Sequence, residues 1–429
     1  MILCDLNQAI IKSLFYLEVV FMHFSKFTKY QKGVSLSTGL SYILERMDAA
    51  FMGLALASII ATLHISKAQG GLIPAITAVG SLVGGVGFGI LADKFGRVRT
   101  LSWSIFIYAF GTAGMGFTNS FTLLLIFRII IGLGTSGEYG IALTMLSEAF
   151  QKKYMGRISS AAGVAGQVGA IIASLLAAVI LPDWHLLFFI GIIPVILAAY
   201  IRFRLPESKT FNDNKIEEKK DKKVKLGDVW SLFATPAEAF LSIRIVIMFL
   251  IHIAGYGTVM NWLPTIAQER MHVDVAKSSL WMVFTIVGMA LGMSVFGYLQ
   301  DKYGSRIAFG IFLVGSAISV FFLIMATNPI EFVIAGAIVG FLTDGMYSGY
   351  GAIVSNLYPS KNRATANNTI MSVAKTIGTF SPVLVGYIMD VSTVTTVVIF
   401  MSICYLISFV VMMSIKQLKK DHPRYVEDN

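Results

Sequence analysis

Long apolar runs separated by short polar connections recur along the chain from residue 37 onward. Most hold about 20 residues with few charges, which is the length a helix needs to cross the hydrocarbon core of a bilayer. The pattern predicts an all-α membrane protein with twelve transmembrane helices. We expect them at 37–63, 71–92, 101–118, 121–146, 158–181, 186–204, 241–265, 279–299, 307–327, 331–356, 365–389 and 395–415.

The longest polar stretch, Pro206–Asp228, lies in the middle of the chain and contains the mixed-charge run 217–225. Such a run cannot bury itself, so we interpret it as a solvated linker. It divides the twelve helices into two bundles of six. The predicted domains are an N-terminal extension (1–35), a first bundle (36–205), a cytoplasmic linker (206–240), a second bundle (241–416) and a cytoplasmic tail (417–429).

The extension is harder to interpret. Residues 10–24 are apolar but are interrupted by Lys12, Glu18 and His23, and no small-residue cleavage site follows them. A secretory signal is therefore disfavoured. An interfacial amphipathic helix, a dispensable extension and a misassigned start codon stay open.

The two halves resemble each other at an offset of 208 positions, with a one-residue slip between 163–169 and 372–378. Gly89-Ile-Leu-Ala-Asp93-Lys-Phe-Gly96, after helix 2, matches Gly297-Tyr-Leu-Gln-Asp301-Lys-Tyr-Gly304, after helix 8. Ser147 matches Ser355 in the same way. Duplicated parallel halves are typical of transporters, in which the substrate site is expected between the halves near the midplane. The fold class is therefore predicted as two pseudo-symmetric six-helix bundles.

Composition and charge agree with a membrane location. Hydrophobic residues make up 56% of the chain, charged residues 14%, and the mean hydropathy is +0.74. The net charge of +10 does not indicate a nucleic-acid partner, because Lys and Arg concentrate in the linker, the tail and alternate connections. The opposite connections carry only Lys67, Arg270 and Lys277. This positive-inside pattern predicts a multi-pass protein of the plasma (inner) membrane with both termini in the cytoplasm.

The stretch from Gly89 to Arg97 resembles the signature loop of the major facilitator superfamily. The resemblance implies the major facilitator fold, alternating access and a monomeric carrier. It also implies that the loop controls the cycle, with close helix approach at the glycines and ion pairs at Asp93 and Arg97. The gating residues that we expect are Gly89, Asp93, Gly96, Arg97, Asp301, Gly304 and Glu138.

Further segments resemble the metabolite–proton symporter branch of that superfamily, which includes sialic-acid and aromatic-acid carriers. They are Arg128–Gly140, Leu187–Pro194, Leu205–Ser208, Asn261–Thr265, Leu357–Pro359 and Lys375–Pro382. The glutamine-rich helix 7 of sugar carriers is absent, which weakens a sugar substrate. The resemblance implies symport of protons with a small organic acid anion across the lipid bilayer.

Ionisable side chains within the predicted helices are the candidate functional residues. Placing such a side chain at the centre of the bilayer costs several kcal/mol, roughly 2.5–3.5 on insertion scales, so each needs a partner, water or a function. Glu45 and Asp48 lie three apart and so share one helical face. Similar carriers pair a helix 1 carboxylate with a helix 4 arginine, here Arg128. Separating such a pair changes the proton affinity of the carboxylate. We therefore predict proton coupling by Asp48, Arg128 and Glu45; a static salt bridge is the alternative.

The substrate-binding candidates lie on the predicted helices 5, 7, 10 and 11. Asp344 and Lys375 could neutralise each other, or Lys375 could bind a substrate carboxylate. The full set is Lys375, Asp344, Gln167, His252, Tyr256 and Asn261.

The sequence contains no enzyme signature. It has no GxxxxGK[ST] loop, so direct use of ATP is not supported. Cys4 and Cys404 lie far apart and the six histidines are scattered, so no disulfide framework, metal site or cofactor is predicted. Symport of a zwitterion such as a betaine or amino acid, symport of a sugar, export of a drug or metabolite, and a non-transporting sensor remain as alternatives.

Overall fold

A computed structural model describes residues 27–95, 97–149, 152–203, 236–358 and 363–419. These residues are almost entirely α-helical and form two compact units. The first comprises 27–203 together with 274–280, and the second comprises 236–273 and 281–419. Helices of the first unit are α1 (Lys29–Leu63), α2 (Lys67–Phe95), α3 (Arg97–Phe117), α4 (Phe121–Ala149), α5 (Lys152–Ile180) and α6 (Trp184–Phe203).

The second unit contains more and shorter helices, and the start of α8 groups with the first unit. They are α7 (Pro236–Met271), α8 (Val275–Tyr303), α9 (Ser305–Ser319), α10 (Phe322–Met325), α11 (Pro329–Gly345), α12 (Tyr347–Leu357), α13 (Arg363–Gly378), α14 (Ser381–Val391) and α15 (Val394–Ser414). A short 3₁₀ turn, Lys416–Leu418, follows α15.

Each of the twelve predicted spans coincides with one of these helices or with a consecutive pair of them. Among the described residues, eight helical segments are long and apolar enough to cross a membrane, and two shorter apolar helices cover Phe121–Thr135 and Ala165–Ile180. The prediction of an all-helical membrane protein is confirmed.

Helix α1 begins earlier than the sequence pattern suggested. The predicted extension ended at residue 35, but residues 29–35 form the first two turns of α1. Thr28 and Gln31 cap these turns reciprocally, each side chain bonding the other residue's backbone N–H. Val34 is fully buried, and the Gln31 amide donates to the Ala149 carbonyl at 2.9 Å. The start of the first bundle therefore moves to residue 29, and residues 1–26 lie outside the described part of the chain.

Glycines bring α2 and α4 of the first unit into backbone contact. A methyl group at Gly80 would overlap the Ile129 carbonyl oxygen, and one at Gly132 would overlap that of Thr77. Small residues at such positions allow membrane helices to pack closely.

The same contacts recur in the second unit, between α8 and α11. Gly288 lies against the carbonyl of Ala337, and Gly340 lies against the carbonyl of Thr285. Each glycine and each carbonyl stands 208 positions after its counterpart in the first unit. The offset read from the sequence therefore reappears in the packing of each unit.

Three spans of the second unit are each built from two helices. The interruptions fall at Val320–Phe321, at Met346 and at Thr379–Phe380. Pro382, which lacks a backbone N–H, stands just after the last of them.

Hydrogen bonds between helices tie the second unit together. The Trp262 indole donates to the Pro382 carbonyl at 3.1 Å, and the Tyr350 hydroxyl donates to the Met248 carbonyl at 3.1 Å. The hydroxyls of Ser242 and Tyr358 bond each other at 2.7 Å. These hydrogen bonds connect α7 to α14 and to α12 and its C-terminal end.

Candidate functional site

The first unit contains a buried ion pair between α1 and α4. The Nη1 atom of Arg128 donates to Oδ2 of Asp48 at 3.0 Å, and these side chains are only 2% and 8% exposed. Helix α1 places Asp48 nineteen residues, or about 28 Å, after its start, well inside the bilayer segment. The two residues that the sequence assigned to proton coupling are therefore in direct contact.

An aromatic ring lies over the guanidinium. Its central carbon lies 5.3 Å from the centre of the Phe188 ring, which in turn contacts Phe51 and Trp184 edge-on. A cation over an aromatic face gains favourable electrostatic energy, and this gain is larger where water is excluded. Phe188 was not among the predicted site residues. It lies within the Leu187–Pro194 segment, which resembles helix 6 of the carrier branch.

The pair is incompletely satisfied. Oδ1 of Asp48 and Nε and Nη2 of Arg128 are buried without a hydrogen-bond partner among the described residues. Nε and Nη2 form the side edge of the guanidinium, which matches a carboxylate with two parallel bonds. A permanent structural salt bridge in an apolar interior normally has its remaining donors and acceptors paired.

Gln167 and Glu45 lie on two helices, α5 and α1, that pack against each other. Gln167 is buried on α5, between Gly166 and Gly169, which pack against the α1 residues Arg46 and Ile43. Glu45 is half-buried, about one turn before Asp48 on α1.

The second unit holds its own buried pair, between α7 and α11. Nε2 of His252 lies 3.8 Å from Oδ1 of Asp344, and these side chains are 0% and 1% exposed. Rings of Phe249, Tyr347 and Tyr350 pack around the imidazole. His252 and Asp344, both proposed from the sequence, are thus brought together.

Lys375 is exposed on α13, a helix with two different exposed faces. One face is apolar and consists of Val373 and Ile377. Lys375 lies about 160° from both of them at 100° per residue, and Ser372 lies on the side of Lys375. Lipid suits the apolar face, whereas an ammonium group at membrane depth requires water, a polar partner or a ligand.

The remaining substrate candidates lie on α7. Tyr256 is half-buried, and the Asn261 amide donates to the Gly257 carbonyl at 2.8 Å, within its own helix. This bond must break before the Asn261 amide can bind a substrate. Asn261 is therefore a weaker candidate for substrate binding than the sequence suggested.

The predicted gating residues are only partly described. Gly89, Asp93, Arg97, Glu138 and Asp301 lie in helices whose side chains at these positions fall outside the description, and Gly96 is outside the described residues altogether. Gly304 precedes α9 with φ of 86°, a conformation that strongly favours glycine. Within the described ranges, no cluster of three or more His, Cys, Asp or Glu side chains is suited to a metal ion.

Sequence comparison identifies the class of protein. The Major Facilitator Superfamily model matches residues 38–299 and 271–428. The chain therefore belongs to the major facilitator superfamily. It is a multi-pass membrane protein and a secondary transporter of small molecules, not an enzyme.

Individual relatives are carriers of metabolites. A protein of Haemophilus influenzae that carries a provisional name as a metabolite transport protein is 32% identical, covering 89% of this chain and 95% of that one. The cis,cis-muconate transport protein of Acinetobacter baylyi is 26% identical, with 87% and 91% covered. The sialic acid transporter NanX of Escherichia coli is 31% identical, with 83% and 87% covered.

Solved structures agree on the fold. The nucleoside transporter NupG superposes with a TM-score of 0.74 over 89% of this chain and 99% of that one, at 13% identity. At that identity the likeness concerns the fold alone.

Proposed function

We propose that this carrier couples the entry of protons to the uptake of a small organic acid anion by alternating access. The observation that carries the proposal is the buried Asp48–Arg128 pair. As a general rule, a neighbouring cation stabilises the charged form of a carboxylate, and an apolar environment without a counter-charge stabilises the neutral form. A conformational change that moves α1 relative to α4 would therefore load or release a proton.

The incomplete bonding of the pair supports a mobile role over a static one. A single hydrogen bond joins the two side chains, and three of their buried polar atoms lack partners in the described residues. Each unsatisfied buried polar atom costs about 1–3 kcal/mol. Separation is easier by that amount if it allows these atoms to bond water or substrate.

Two observations favour an organic acid as the substrate. Lys375 presents a cation on the polar face of α13, and muconate and sialic acid, named for two relatives, are both carboxylates. We propose Lys375 as the group that binds the substrate carboxylate, with Tyr256 as a further polar contact. Asp93 and the matching Asp301 are proposed to control the change between inward-open and outward-open states.

Uptake into vesicles tests the proposal. Purified protein in liposomes would be given labelled N-acetylneuraminate, cis,cis-muconate or, as a zwitterionic control, glycine betaine. A pH difference of about one unit, acidic outside, should drive about tenfold accumulation of an acid at one proton per anion. A protonophore should abolish this accumulation. Accumulation that ignores the pH difference, or accumulation of betaine alone, would refute proton–acid symport.

A further inference from the structure

The second unit contains a buried acid–imidazole pair that the proposed coupling at Asp48 does not use. His252 and Asp344 lie 3.8 Å apart, and both belong to segments able to cross a membrane, Glu238–Met271 and Pro329–Gly351. Ionisable groups at such positions are costly and usually functional.

Aromatic rings enclose the imidazole. Phe249 stacks nearly parallel to it at 5.9 Å between ring centres, and Tyr347 and Tyr350 lie at 5.7 and 5.2 Å. The Tyr350 hydroxyl is directed to the Met248 carbonyl. The surroundings of the pair are therefore mostly apolar.

Other titratable side chains lie on the helices that pack around the pair. Tyr347 and Tyr350 come from α12, and the phenol of Tyr405 on α15 lies against Gly255, one turn after His252. Helix α13, which also packs on α7, carries Lys375 with an exposed side chain. Imidazole is the side chain whose ordinary pKa lies between about pH 5 and 8, whereas ordinary phenols and lysines titrate near pH 10.

The His252–Asp344 pair differs in net charge from the Asp48–Arg128 pair of the first unit. With Asp344 ionised and His252 neutral, the pair carries one negative charge. One added proton, on either group, brings the net charge to zero, which an apolar environment favours. Asp48 and Arg128 are neutral together without an added proton, because a guanidinium stays charged.

Asp344 lies next to a break between two helices, so its charge acts on the helix ends that meet there. Helix α11 ends at Gly345 and α12 begins at Tyr347, so Asp344 stands beside the interruption at Met346. The C-terminal end of α11 carries partial negative charge and the N-terminal end of α12 carries partial positive charge, and both interact with the carboxylate more strongly when it is ionised. Gain or loss of a proton therefore alters the electrostatics at the point where this span is broken.

We propose that His252 and Asp344 form a proton-binding site in which one shared proton sets the charge at the α11–α12 junction. The site is additional to Asp48 and goes beyond the proposed function. It requires no particular substrate and stands whether or not Asp48 carries the coupled proton.

Counting protons in the purified full-length protein tests this site. The protein in lipid nanodiscs would be labelled with carbon-13 in its histidine rings, and the His252 resonance identified by its loss in His252→Gln. Infrared spectroscopy would report a protonated Asp344 through its carboxylic carbonyl band, identified by loss in Asp344→Asn. At neutral pH the imidazolium fraction and the carboxylic-acid fraction should sum to about one.

Matched variants keep the result interpretable. His272→Gln, on the exposed connection after α7, should leave both signals unchanged. If Asp344→Asn does not fold, Asp344→Glu should keep one shared proton and only displace the carbonyl band. Asp48→Asn should also leave the count at one, so that failure of coupling at Asp48 and failure of this site are distinguishable. A sum near zero, with ionised Asp344 beside neutral His252, or a sum near two would overturn the proposal.

Discussion

Arg128 and His252 offer their carboxylates different kinds of counter-charge. The guanidinium of Arg128 is permanent, so the charge of its pair changes only when Asp48 gains or loses a proton. The imidazole of His252 can itself lose its charge, and the proton can reside on either member of that pair. Asp48 and Asp344, buried in different units, therefore have different counter-charges and should respond differently to pH.

Lys375 is also a charged residue within a predicted span, but we assign it a different role, because its side chain is exposed on a polar face of α13. Replacing Lys375 with Gln keeps a hydrogen-bond donor but removes the charge, so substrate affinity should fall by about 2 kcal/mol, or roughly thirtyfold. Lys375→Arg, which keeps a cation, and Ser372→Ala, on the same face, serve as controls and should have smaller effects. Binding would be measured by the substrate-induced rise in melting temperature. Normal affinity in Lys375→Gln would remove this residue from the substrate site.

At the scale of the helix, backbone contact at glycine fixes how neighbouring helices pack. Gly80 on α2 has no room for a methyl group, whereas a methyl group at Gly87, on the same helix, would meet nothing within 4 Å. The second unit repeats this contrast in Gly288 and Gly297.

These glycines give a prediction with an internal control. Gly80→Ala should destabilise the protein by about 1–3 kcal/mol, because α2 and α4 must move apart. Gly87→Ala should be neutral or stabilising by up to about 1 kcal/mol, since it only improves helix propensity. Melting temperatures in one detergent would compare the two. Equal effects would show that the close approach contributes nothing to stability.

The start of α1 supplies a second test at this scale. Removing residues 1–26 should leave transport within a factor of about two, because the cap at Thr28 and the buried Val34 remain. Removing residues 1–35 deletes both and should lower the melting temperature and the yield of folded protein, given that loss of a cap alone costs about 1 kcal/mol. Yield and melting temperature of the two truncations provide the comparison. Equal behaviour would mean that the first two turns of α1 are dispensable.

Sequence reasoning located the spans because membrane helices must be long and apolar, but it missed the breaks within them. A hydropathy profile does not detect the interruption at Met346, because the helices on both sides of it, α11 and α12, are apolar. The repeat held a usable signal. Tyr347 stands 208 positions after Tyr139, and each lies two positions after a glycine, so Tyr347 could have been singled out with the helix 4 segment.

For the whole molecule, the duplication was readable from sequence because glycine and loop positions repeat at one offset. The partners within each unit were less predictable. The family resemblance matches Asp48 with Arg128, and the sequence pairs Asp344 with Lys375; in the structure Asp344 also lies 3.8 Å from His252, a partner that the sequence does not indicate. A contact between distant helices depends on their rotation about their axes, which hydropathy alone does not determine.

Proton coupling through Asp48 is the central claim for the whole carrier. Asp48→Asn mimics the protonated carboxylate permanently. In liposomes the variant should lose accumulation driven by a pH gradient, yet still exchange internal for external substrate, because exchange needs no net proton movement.

The most direct measurement is counterflow and gradient-driven uptake of the same labelled acid by one preparation of Asp48→Asn. If Asp48 carries the coupled proton, we expect counterflow within a few-fold of the unmodified carrier and no gradient-driven accumulation. A static salt bridge predicts poor folding and parallel loss of both activities. Accumulation by Asp48→Asn with normal pH dependence would contradict proton coupling at Asp48 and assign the proton to another group.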